Sequence, residues 1–237
     1  MGKMKKKVDL YGDEIGFVQL VDHLGNDLSV VNSARVSFGK HKEEIEEQDR
    51  KLISYLIEHR HTSTLEHCAV TFRFKVPLFI SKQHMRHRTW SYNEISRRYT
   101  DFNIEFYEPN KFRTQHVSNR QASNDELINP KIIYHHLPDG ASSTASQLIK
   151  NHNRSSLRLY EALIAADICR EQARGVLPQN MYTEYYGTAN LNNIFKFINL
   201  RVHEGAQWEI QQVAKAVLEI IESLYPNTVR SYQKLQE

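Results

Sequence analysis

The chain has 237 residues, a hydrophobic content of 40% and a formal net charge of +3. It is long enough to bury a sizeable core in one domain, and so small a net charge argues that any function of basic residues is local. The basic start is followed by Val8-Asp-Leu-Tyr-Gly-Asp-Glu14, where an export signal needs apolar residues, so we expect no export signal. No apolar run reaches about 18 residues, so we expect no transmembrane helix.

The first half of the chain predicts strands and one helix. Residues 15–38 contain short apolar stretches interrupted by glycines and predict one or two strands around turns. Residues 43–59 predict a helix, because Leu52, Ile53, Leu56 and Ile57 fall on one face.

The clearest strand is predicted over residues 67–76, where apolar and polar residues alternate. Pro77 suits the first turn of a helix, which we expect to end near Arg88. Residues 91–96 contain poor helix formers and predict a loop.

The second half predicts an irregular excursion followed by helices. Residues 113–147 are polar and contain Pro138, Asp139 and Gly140, which favour irregular structure without a linker to a second domain. A long helix is predicted from about Ala145 to Arg174.

Aromatic residues at 181–186 predict a short strand or turn. Asn190 is a suitable cap for a helix over residues 191–200. The last helix is predicted over residues 206–224 and ends before Pro226.

The two cysteines, Cys68 and Cys169, lie in stretches that predict a core strand and a helix. We therefore expect two buried thiols rather than a disulfide, as is usual in a reducing cytosol. With the absence of an export signal, this favours a cytoplasmic protein.

The sequence lacks both glycine-rich phosphate-binding patterns, G-x-G-x-x-G and G-x-x-x-x-G-K-[ST]. A nucleotide phosphate would then be held by arginine side chains and helix ends. The arginines at or near predicted helix or loop ends are Arg86, Arg88, Arg97, Arg98, Arg174 and Arg201.

The basic stretch SKQHMRHRTWSYNEISRRYT, residues 81–100, admits several interpretations. It is a solvated helix end with a basic loop, or a nucleic-acid patch in which Trp90, Tyr92 and Tyr99 stack on bases. Alternatively, the polar side chains of Gln83, Asn93 and their neighbours bind a base or a flavin ring.

The same stretch carries the pattern R-H-R-x-x-S-x-N-E-x-S-x-R, complete from Arg86 to Arg98. Further matching segments begin at Asn32, Arg50, His61, Arg174 and Asn199 and read NSARVS, RKLIxY, HxxxxEH, RxVLP and NLRxxxxAQWEIQ. The chain resembles the flavin-dependent thymidylate synthases through these motifs, over most of its length apart from residues 113–147.

The resemblance implies an α/β fold, with a mixed β-sheet covered by helices, one domain over residues 1–237 and a homotetramer with active sites at subunit interfaces. It implies conversion of dUMP to dTMP, with methylenetetrahydrofolate giving the one-carbon unit. The hydride comes from FADH2, and NADPH reduces the FAD. We expect no nucleic-acid or membrane partner.

The resemblance also assigns site residues. Those implied for FAD are Ser63, Arg86, His87, Arg88, Thr89, Glu94, Asn190, Asn192 and Lys196. Those implied for dUMP are Gln83, Arg86, Glu94, Ile95, Ser96, Arg97 through its backbone, Arg98, Arg174 and Arg201, with the phosphate on Arg98 and Arg174. The chain departs from the pattern at Asn192, Lys196 and Gly205, where relatives carry Arg, Asn and His.

Arg201 is the implied catalytic residue. The family places this arginine against the uracil ring, where a fixed cation favours the anionic N3 form and makes the ring a better nucleophile. No cysteine nucleophile is implied. Ser96 is an alternative nucleophile, but it needs an adjacent base and Glu94 is a weak candidate, so we interpret Ser96 as a substrate ligand.

Five histidines, at positions 59, 61, 67, 84 and 87, raise the question of a metal, but no H-E-x-x-H or Cys-His set accompanies them. We predict no metal site and give His61 a supporting role near the flavin. The remaining enzymatic alternative is a flavoprotein of this fold that has lost the transferase activity. The complete set of arginines argues against it.

Overall fold

The computed structural model describes residues 6–134 and 141–236. It forms two compact units, which are interleaved along the chain. The first contains Met1–Lys75, Gln83–Glu94 and Glu184–Glu237, and the second contains Val76–Lys82 and Ile95–Thr183. The single domain predicted over residues 1–237 remains a proposal.

Strands and helices alternate along the chain. The strands are β1 Lys7–Asp9, β2 Phe17–Leu24, β3 Ala69–Pro77, β4 Ser91–Glu94, β5 Phe112–Gln115, β6 Ser123–Ile128, β7 Lys131–Ile133, β8 Ser142–Thr144 and β9 Tyr182–Asn190. The helices are α1 Asp27–Arg35, α2 Glu47–Glu58, α3 Leu78–His84, α4 Ala145–Ala165, α5 Arg170–Ala173, α6 Leu191–Val202, α7 Trp208–Glu222 and α8 Pro226–Lys234.

The largest sheet has the strand order β1-β2-β3-β9-β4. Its registered pairs, β1 with β2, β2 with β3 and β4 with β9, are antiparallel, which corrects the expectation of a mixed sheet. The reason is visible in β3, where fully buried Val70, Phe72 and Phe74 alternate with half-buried residues. Such alternation is typical of an antiparallel sheet that has one covered face. The coarser class, strands combined with helices, is confirmed.

Helix α7 covers the start of this sheet. Its apolar stripe, which includes Ile210, Val213 and Val217, is fully buried, and the helix contacts β1, β2 and α6. Burial of each such side chain contributes about 2 kcal/mol. Among the described residues, no helix is long and apolar enough to cross a membrane.

The N-terminal strand prediction was wrong for residues 27–35, which form α1. Asn26 caps this helix, since its side-chain oxygen accepts hydrogen bonds from the N–H groups of Leu28 and Ser29 at 2.9 and 3.2 Å. Gly25 before it has a φ of +81°, which a glycine adopts without strain. The helix predicted over residues 43–59 is confirmed as α2, which begins later, at Glu47.

Two other boundaries differ from the predictions. The strand predicted over residues 67–76 is confirmed as β3, but the helix that follows ends at His84 instead of near Arg88. Residues 91–94, predicted as loop, form β4, because the neighbouring strand β9 supplies backbone partners for the segment.

The long helix predicted to Arg174 ends at Ala165. Asp167 is left-handed, with a φ of +62°, and this interrupts the helix before α5. The excursion predicted at 113–147 contains two small antiparallel sheets, β5-β6 and β7-β8. Pro138, Asp139 and Gly140 lie outside the described residues.

The C-terminal predictions are mostly confirmed. The predicted helix at 191–200 is α6, capped by Asn190, whose side-chain oxygen accepts from the N–H of Asn193 at 3.0 Å. The helix α8 was missed because Pro226 begins it rather than ending α7. Buried Asp27 holds its first turn through bonds from Asn227 and Thr228 of 2.6–3.0 Å.

The cysteines differ from each other. Cys68 is fully buried, and burial, followed by the charge of Asp27, raises its pKa to about 11. Cys169 is exposed, which corrects the expectation that both thiols are buried, because it stands just before the short helix α5 instead of inside a long one. Both thiols are free.

Candidate active site

A fully buried histidine, His84, forms the base of the site in the first unit. Its ring lies 4.5 to 4.8 Å, between centroids, from those of Phe74, Trp90 and Phe197. Its Nδ1 lies 2.9 Å from the hydroxyl of Tyr185, and burial lowers its pKa well below the usual value. The histidine therefore stays neutral and serves as a rigid part of the core.

Arg201, the predicted catalytic residue, lies near this aromatic base on the last turn of α6. Its Nε donates to Nε2 of His87 at 3.1 Å, and one terminal nitrogen donates to the carbonyl of Gln83 at 3.0 Å. The residue is half-buried and forms no ion pair with any described residue. The structure thus holds a cation in place with two neutral acceptors.

The protonation of His87 follows from this contact. Burial, and then the charge of Arg201, lowers the pKa of His87 to about 4, so the imidazole is neutral near pH 7. Its Nε2 accepts the hydrogen bond from Arg201, which places the ring proton on Nδ1. The pKa of Arg201 is itself lowered, by burial and by the charge of Arg86, but an arginine keeps its proton at any ordinary pH.

Gln83 contributes to the site through both its backbone and its side chain. While its carbonyl binds Arg201, its side-chain nitrogen donates to Oε1 of Gln207 at 2.6 Å. Gln207 in turn donates to buried Glu209 at 2.9 Å. This chain of hydrogen bonds orients Gln83 from the start of α7.

The residues predicted for the flavin include exposed cations. Arg86, Arg88 and Thr89 are exposed on the turn between α3 and β4, and Lys196 is exposed on α6. Within the described ranges, neither Arg86 nor Arg88 forms an ion pair. Free guanidinium groups of this kind suit the pyrophosphate of a dinucleotide.

Three other residues predicted for the flavin, Ser63, Asn190 and Asn192, lie where the segment before β3 meets α6. Ser63 is exposed on a short 3₁₀ helix, Thr62–Leu65, which contacts α6. Asn190 caps α6, and buried Asn192 donates its side-chain nitrogen to Glu66 at 3.0 Å. Asn192 is thus already hydrogen-bonded within the protein, while Ser63 is accessible to a ligand.

Two further positions were named in the sequence analysis. His61 is exposed and its ring stacks on that of Tyr55, with centroids 5.9 Å apart. Gly205 donates its N–H to Nδ1 of His203 at 3.0 Å. Among the described residues, no group of three His, Cys, Asp or Glu side chains has the geometry to hold a metal ion.

In the second unit, the residues predicted for the substrate phosphate lie on two connected segments. Arg98 forms an ion pair with Glu171 of α5, and the neighbouring Arg170 binds Asp101 at 2.6 Å. Arg174 follows α5 directly; its side chain is exposed and has no ion-pair partner in the described part of the chain. The two ion pairs tie the turn at 98–101 to the helix that leads to Arg174.

The side chain of Arg97 stabilises the same turn from within. It is only 7% exposed and donates to the carbonyls of Phe102 at 2.7 Å and Asn103 at 3.3 Å. Burial lowers its pKa, whereas the nearby Tyr160, Asp101 and Glu105 oppose the shift. Arg97 is therefore a structural cation whose side chain binds the protein itself. That its backbone contacts the substrate stays a prediction.

Residues 94–96 are the remaining predicted substrate ligands. Glu94 ends β4 in register with Tyr185, and Ile95 is exposed. The hydroxyl of Ser96 accepts a hydrogen bond from the N–H of Arg98 at 3.2 Å. Its structural partner is thus a backbone group, as in many turns.

Sequence patterns did not reveal three of these partners. Gln207 and Glu171 contact the predicted site residues Gln83 and Arg98 from 124 and about 70 positions away in the chain. Tyr185 contacts His84, at the base of the site, from 101 positions away. Only for Gln207 was there a signal, since it lies within a quoted motif.

In the first unit, the site combines a fixed guanidinium without a counter-ion, a neutral imidazole and exposed arginines. Such a set is suited to an anionic ligand with an aromatic ring. These features are typical of a protein that binds a nucleotide or a similar anionic, aromatic ligand.

Comparison with known proteins identifies the particular family. A family model described as thymidylate synthase complementing protein matches residues 19–227. A flavin-dependent thymidylate synthase of Thermus thermophilus is 42% identical over 211 residues, which are 89% of this chain and 73% of that protein. One of Thermosipho melanesiensis is 40% identical over 220 residues, covering 92% and 91% of the two chains.

A solved structure agrees with these matches. It is the crystal structure of a UMP/dUMP methylase, PolB from Streptomyces cacaoi, bound with 5-Br dUMP, with a TM-score of 0.77 and 30% identity. The match covers 96% of this chain and 97% of that one. The chain belongs to the flavin-dependent thymidylate synthase family and is an enzyme of that kind.

Proposed function

We propose that this enzyme converts dUMP to dTMP by reductive methylation. In this proposal, methylenetetrahydrofolate donates the one-carbon unit, FADH2 donates the hydride and NADPH reduces the FAD again. The family match and the nucleotide analogue bound to the related methylase support the substrate class. We also propose that the enzyme acts in the cytoplasm as a homotetramer with active sites at subunit interfaces.

The observation that carries the proposal is the environment of Arg201. Its guanidinium has two neutral hydrogen-bond partners, His87 and the carbonyl of Gln83, and no carboxylate partner among the described residues. An uncompensated, half-buried cation stabilises an anion beside it strongly, since little water screens the charge. We assign Arg201 the role of favouring the N3 anion of uracil, which makes the ring a better nucleophile toward the methylene carbon.

His87 and Gln83 are positioning residues for this cation as well as proposed ligand contacts. Because His87 is neutral, it can accept from Arg201 without supplying a second positive charge or cancelling the first. Gln83 is fixed by Gln207, so the carbonyl that holds Arg201 belongs to a restrained residue. Removal of either contact should loosen the guanidinium rather than remove its charge.

The dUMP phosphate is assigned to Arg98 and Arg174, with Ser96, Ile95 and the backbone of Arg97 nearby in sequence. Arginine side chains bind phosphate through two parallel hydrogen bonds, which fix both distance and direction. Arg86 and Glu94 complete the proposed dUMP ligands. The hydroxyl oxygen of Ser96 accepts from the backbone N–H of Arg98, so its own proton can be donated to a ligand.

The side chains present fit FAD. The exposed and unpaired Arg86 and Arg88 would hold the pyrophosphate, with Thr89 as an additional donor. His87 would contact the ring system, and the residues that remain in the proposed set are Ser63, Glu94, Asn190, Asn192 and Lys196. When bound in reduced form, FAD supplies the hydride that completes the methyl group.

The thiols support a reaction without a cysteine nucleophile. Cys68 is fully buried and its pKa is raised to about 11, so neither access nor ionisation favours attack on a substrate. Cys169 is exposed, but its Sγ contacts Gln172 at 3.6 Å and has no basic partner in the described residues. Activation of a thiol requires such a partner or another source of positive charge.

The first experiment is a visible absorption spectrum of the purified protein, followed by anaerobic addition of NADPH with and without dUMP. We expect flavin bands that bleach faster when dUMP is present, and dTMP when methylenetetrahydrofolate is added. A protein without colour that takes up no FAD and binds RNA or DNA in a salt-sensitive manner would contradict the proposal. A yellow protein that makes no dTMP would indicate the flavoprotein that has lost its transferase activity.

A further inference from the structure

The ion pair between Arg98 and Glu171 lies within the proposed phosphate site. The two side chains are 48% and 58% exposed, so both are accessible to a ligand. Arg98 forms this ion pair and no other in the described residues, and Glu171 likewise has no second cationic partner there. One of the two arginines assigned to the phosphate therefore already binds a carboxylate.

Bonds other than this pair hold the turn that carries Arg98. Asp101 binds Arg170 at 2.6 Å, and the carbonyl of Ser96 accepts from the N–H groups of Tyr99 and Thr100 at 3.0 and 3.2 Å. Buried Arg97 fixes the far end of the turn through the carbonyls of Phe102 and Asn103. The backbone of Arg98 is thus restrained without Glu171, which argues against a purely structural role for this carboxylate.

A carboxylate and a phosphate compete for the same guanidinium. Both present oxygens that match the parallel N–H groups of an arginine. Glu171 also precedes Arg174 by three residues on one helical segment, so its negative charge opposes phosphate at both assigned arginines. Exposed ion pairs contribute little stability, so a phosphate can displace this one.

We propose that Glu171 is an internal competitor of the substrate phosphate at Arg98, which lowers the affinity for dUMP and for the product that carries the same phosphate. This inference rests on the proposed function, in which Arg98 and Arg174 bind that phosphate. Glu171 occupies Arg98 in the free enzyme and releases it to the ligand. Lower affinity for the phosphate favours release of dTMP. Product release often limits the turnover of enzymes.

The test is the substitution Glu171→Gln, which removes the charge and retains the size of the side chain. The dissociation constants of dUMP and of deoxyuridine, which lacks the phosphate, are measured by calorimetry on the full-length protein loaded with FAD. We expect about threefold tighter binding of dUMP, the range of an exposed ion pair, and no change for deoxyuridine. The matched control Glu161→Gln removes an exposed carboxylate of α4 and should leave both constants unchanged.

Equal or weaker binding of dUMP by Glu171→Gln would overturn the inference, because a positioning role predicts a loss of affinity. An equal gain for deoxyuridine would overturn it too, since the effect would not depend on the phosphate. If deoxyuridine binds to none of the proteins, the dissociation constants of dUMP for Glu171→Gln and Glu161→Gln decide: the inference requires tighter binding by the first variant only. Failure of the wild-type protein to bind dUMP at all would overturn the proposed function itself, together with this inference.

Discussion

Arg201 and Arg98 are both arginines of the proposed site, but their surroundings differ in kind. Arg201 is half-buried, held by the neutral groups of His87 and Gln83, and has no counter-ion among the described residues. Arg98 is about half exposed and binds the carboxylate of Glu171. The first arrangement preserves the field of the charge, whereas the second largely cancels it until a ligand arrives.

We infer that burial and ion pairing adapt each arginine to a different role. A cation that must influence the electrons of a ring benefits from low dielectric and a fixed position. A cation that must bind and release a phosphate many times benefits from exposure and from a partner of similar chemistry. The predictions below test whether the two regions behave so differently.

The largest effect is expected at Arg201. Replacing it with alanine removes the uncompensated cation, and dTMP formation at saturating dUMP should fall about 100- to 1,000-fold, as for other preorganised donors. The measurement is kcat for dTMP formation. The control Arg230→Ala, which removes an exposed arginine of α8, should leave kcat unchanged. A wild-type kcat in Arg201→Ala would show that Arg201 is not catalytic.

Arg174 should behave as a binding residue rather than a catalytic one. The variant Arg174→Ala should raise the dissociation constant of dUMP about 10- to 100-fold, the size of a lost charge-assisted contact, with a smaller change in kcat. Titration calorimetry and steady-state kinetics separate the two quantities. Arg158→Ala, which removes an exposed arginine from α4, is the matched control. A loss confined to kcat would contradict the assignment.

The pH dependence of stability should report on His87. Its folded pKa of about 4 lies below the unfolded value of 6.5, so the unfolded state binds more protons between these pH values. Stability from this group is present above pH 6.5 and is lost as pH falls toward 4, by about 1–2 kcal/mol after allowance for partial exposure.

Urea unfolding of wild-type protein and His87→Gln at several pH values measures this loss. Glutamine cannot titrate, so the variant should lose less stability over the same pH range. Burial, the main cause of the lowered pKa of His84, is present in both proteins. Identical pH profiles would show that His87 is not held neutral.

The smallest effect is expected at Cys169. Its thiol is exposed but has no activating partner in the described residues, so Cys169→Ala should keep dTMP formation within about twofold of the wild type. The rate is measured at saturating dUMP. A loss of several orders of magnitude would instead identify a cysteine nucleophile and reduce Arg201 to a supporting role.

The sequence predicted those elements whose signals are local. The alternation of residues 67–76 gave β3, and the apolar spacing with Asn190 as a cap gave α6. The segment at 91–94 was missed because its structure depends on the neighbouring strand β9. The helix α8 was missed because Pro226 was interpreted as ending α7, whereas it begins a helix whose first turn is held by distant Asp27. A single sequence contains no direct signal for such contacts.

The same limit applies to the site. The R-H-R motif and Arg201 were found from the sequence, but the bond between Arg201 and His87 joins residues 114 positions apart. Likewise, the pairing of Arg98 with Glu171 appears only when the turn at 98–101 is placed against α5. Motifs therefore selected the candidate side chains, whereas the fold determined which of their cations have no carboxylate partner among the described residues.

The most direct test of the central claim is the ionisation of N3 in bound dUMP. Its pKa can be measured by nitrogen NMR of labelled dUMP bound to wild-type protein and to Arg201→Ala. If Arg201 acts as an uncompensated cation, the pKa of N3 should be lower in the wild-type complex than in free dUMP and should return toward the free value in the variant. Equal pKa values in free dUMP and both complexes would contradict the proposed role of Arg201.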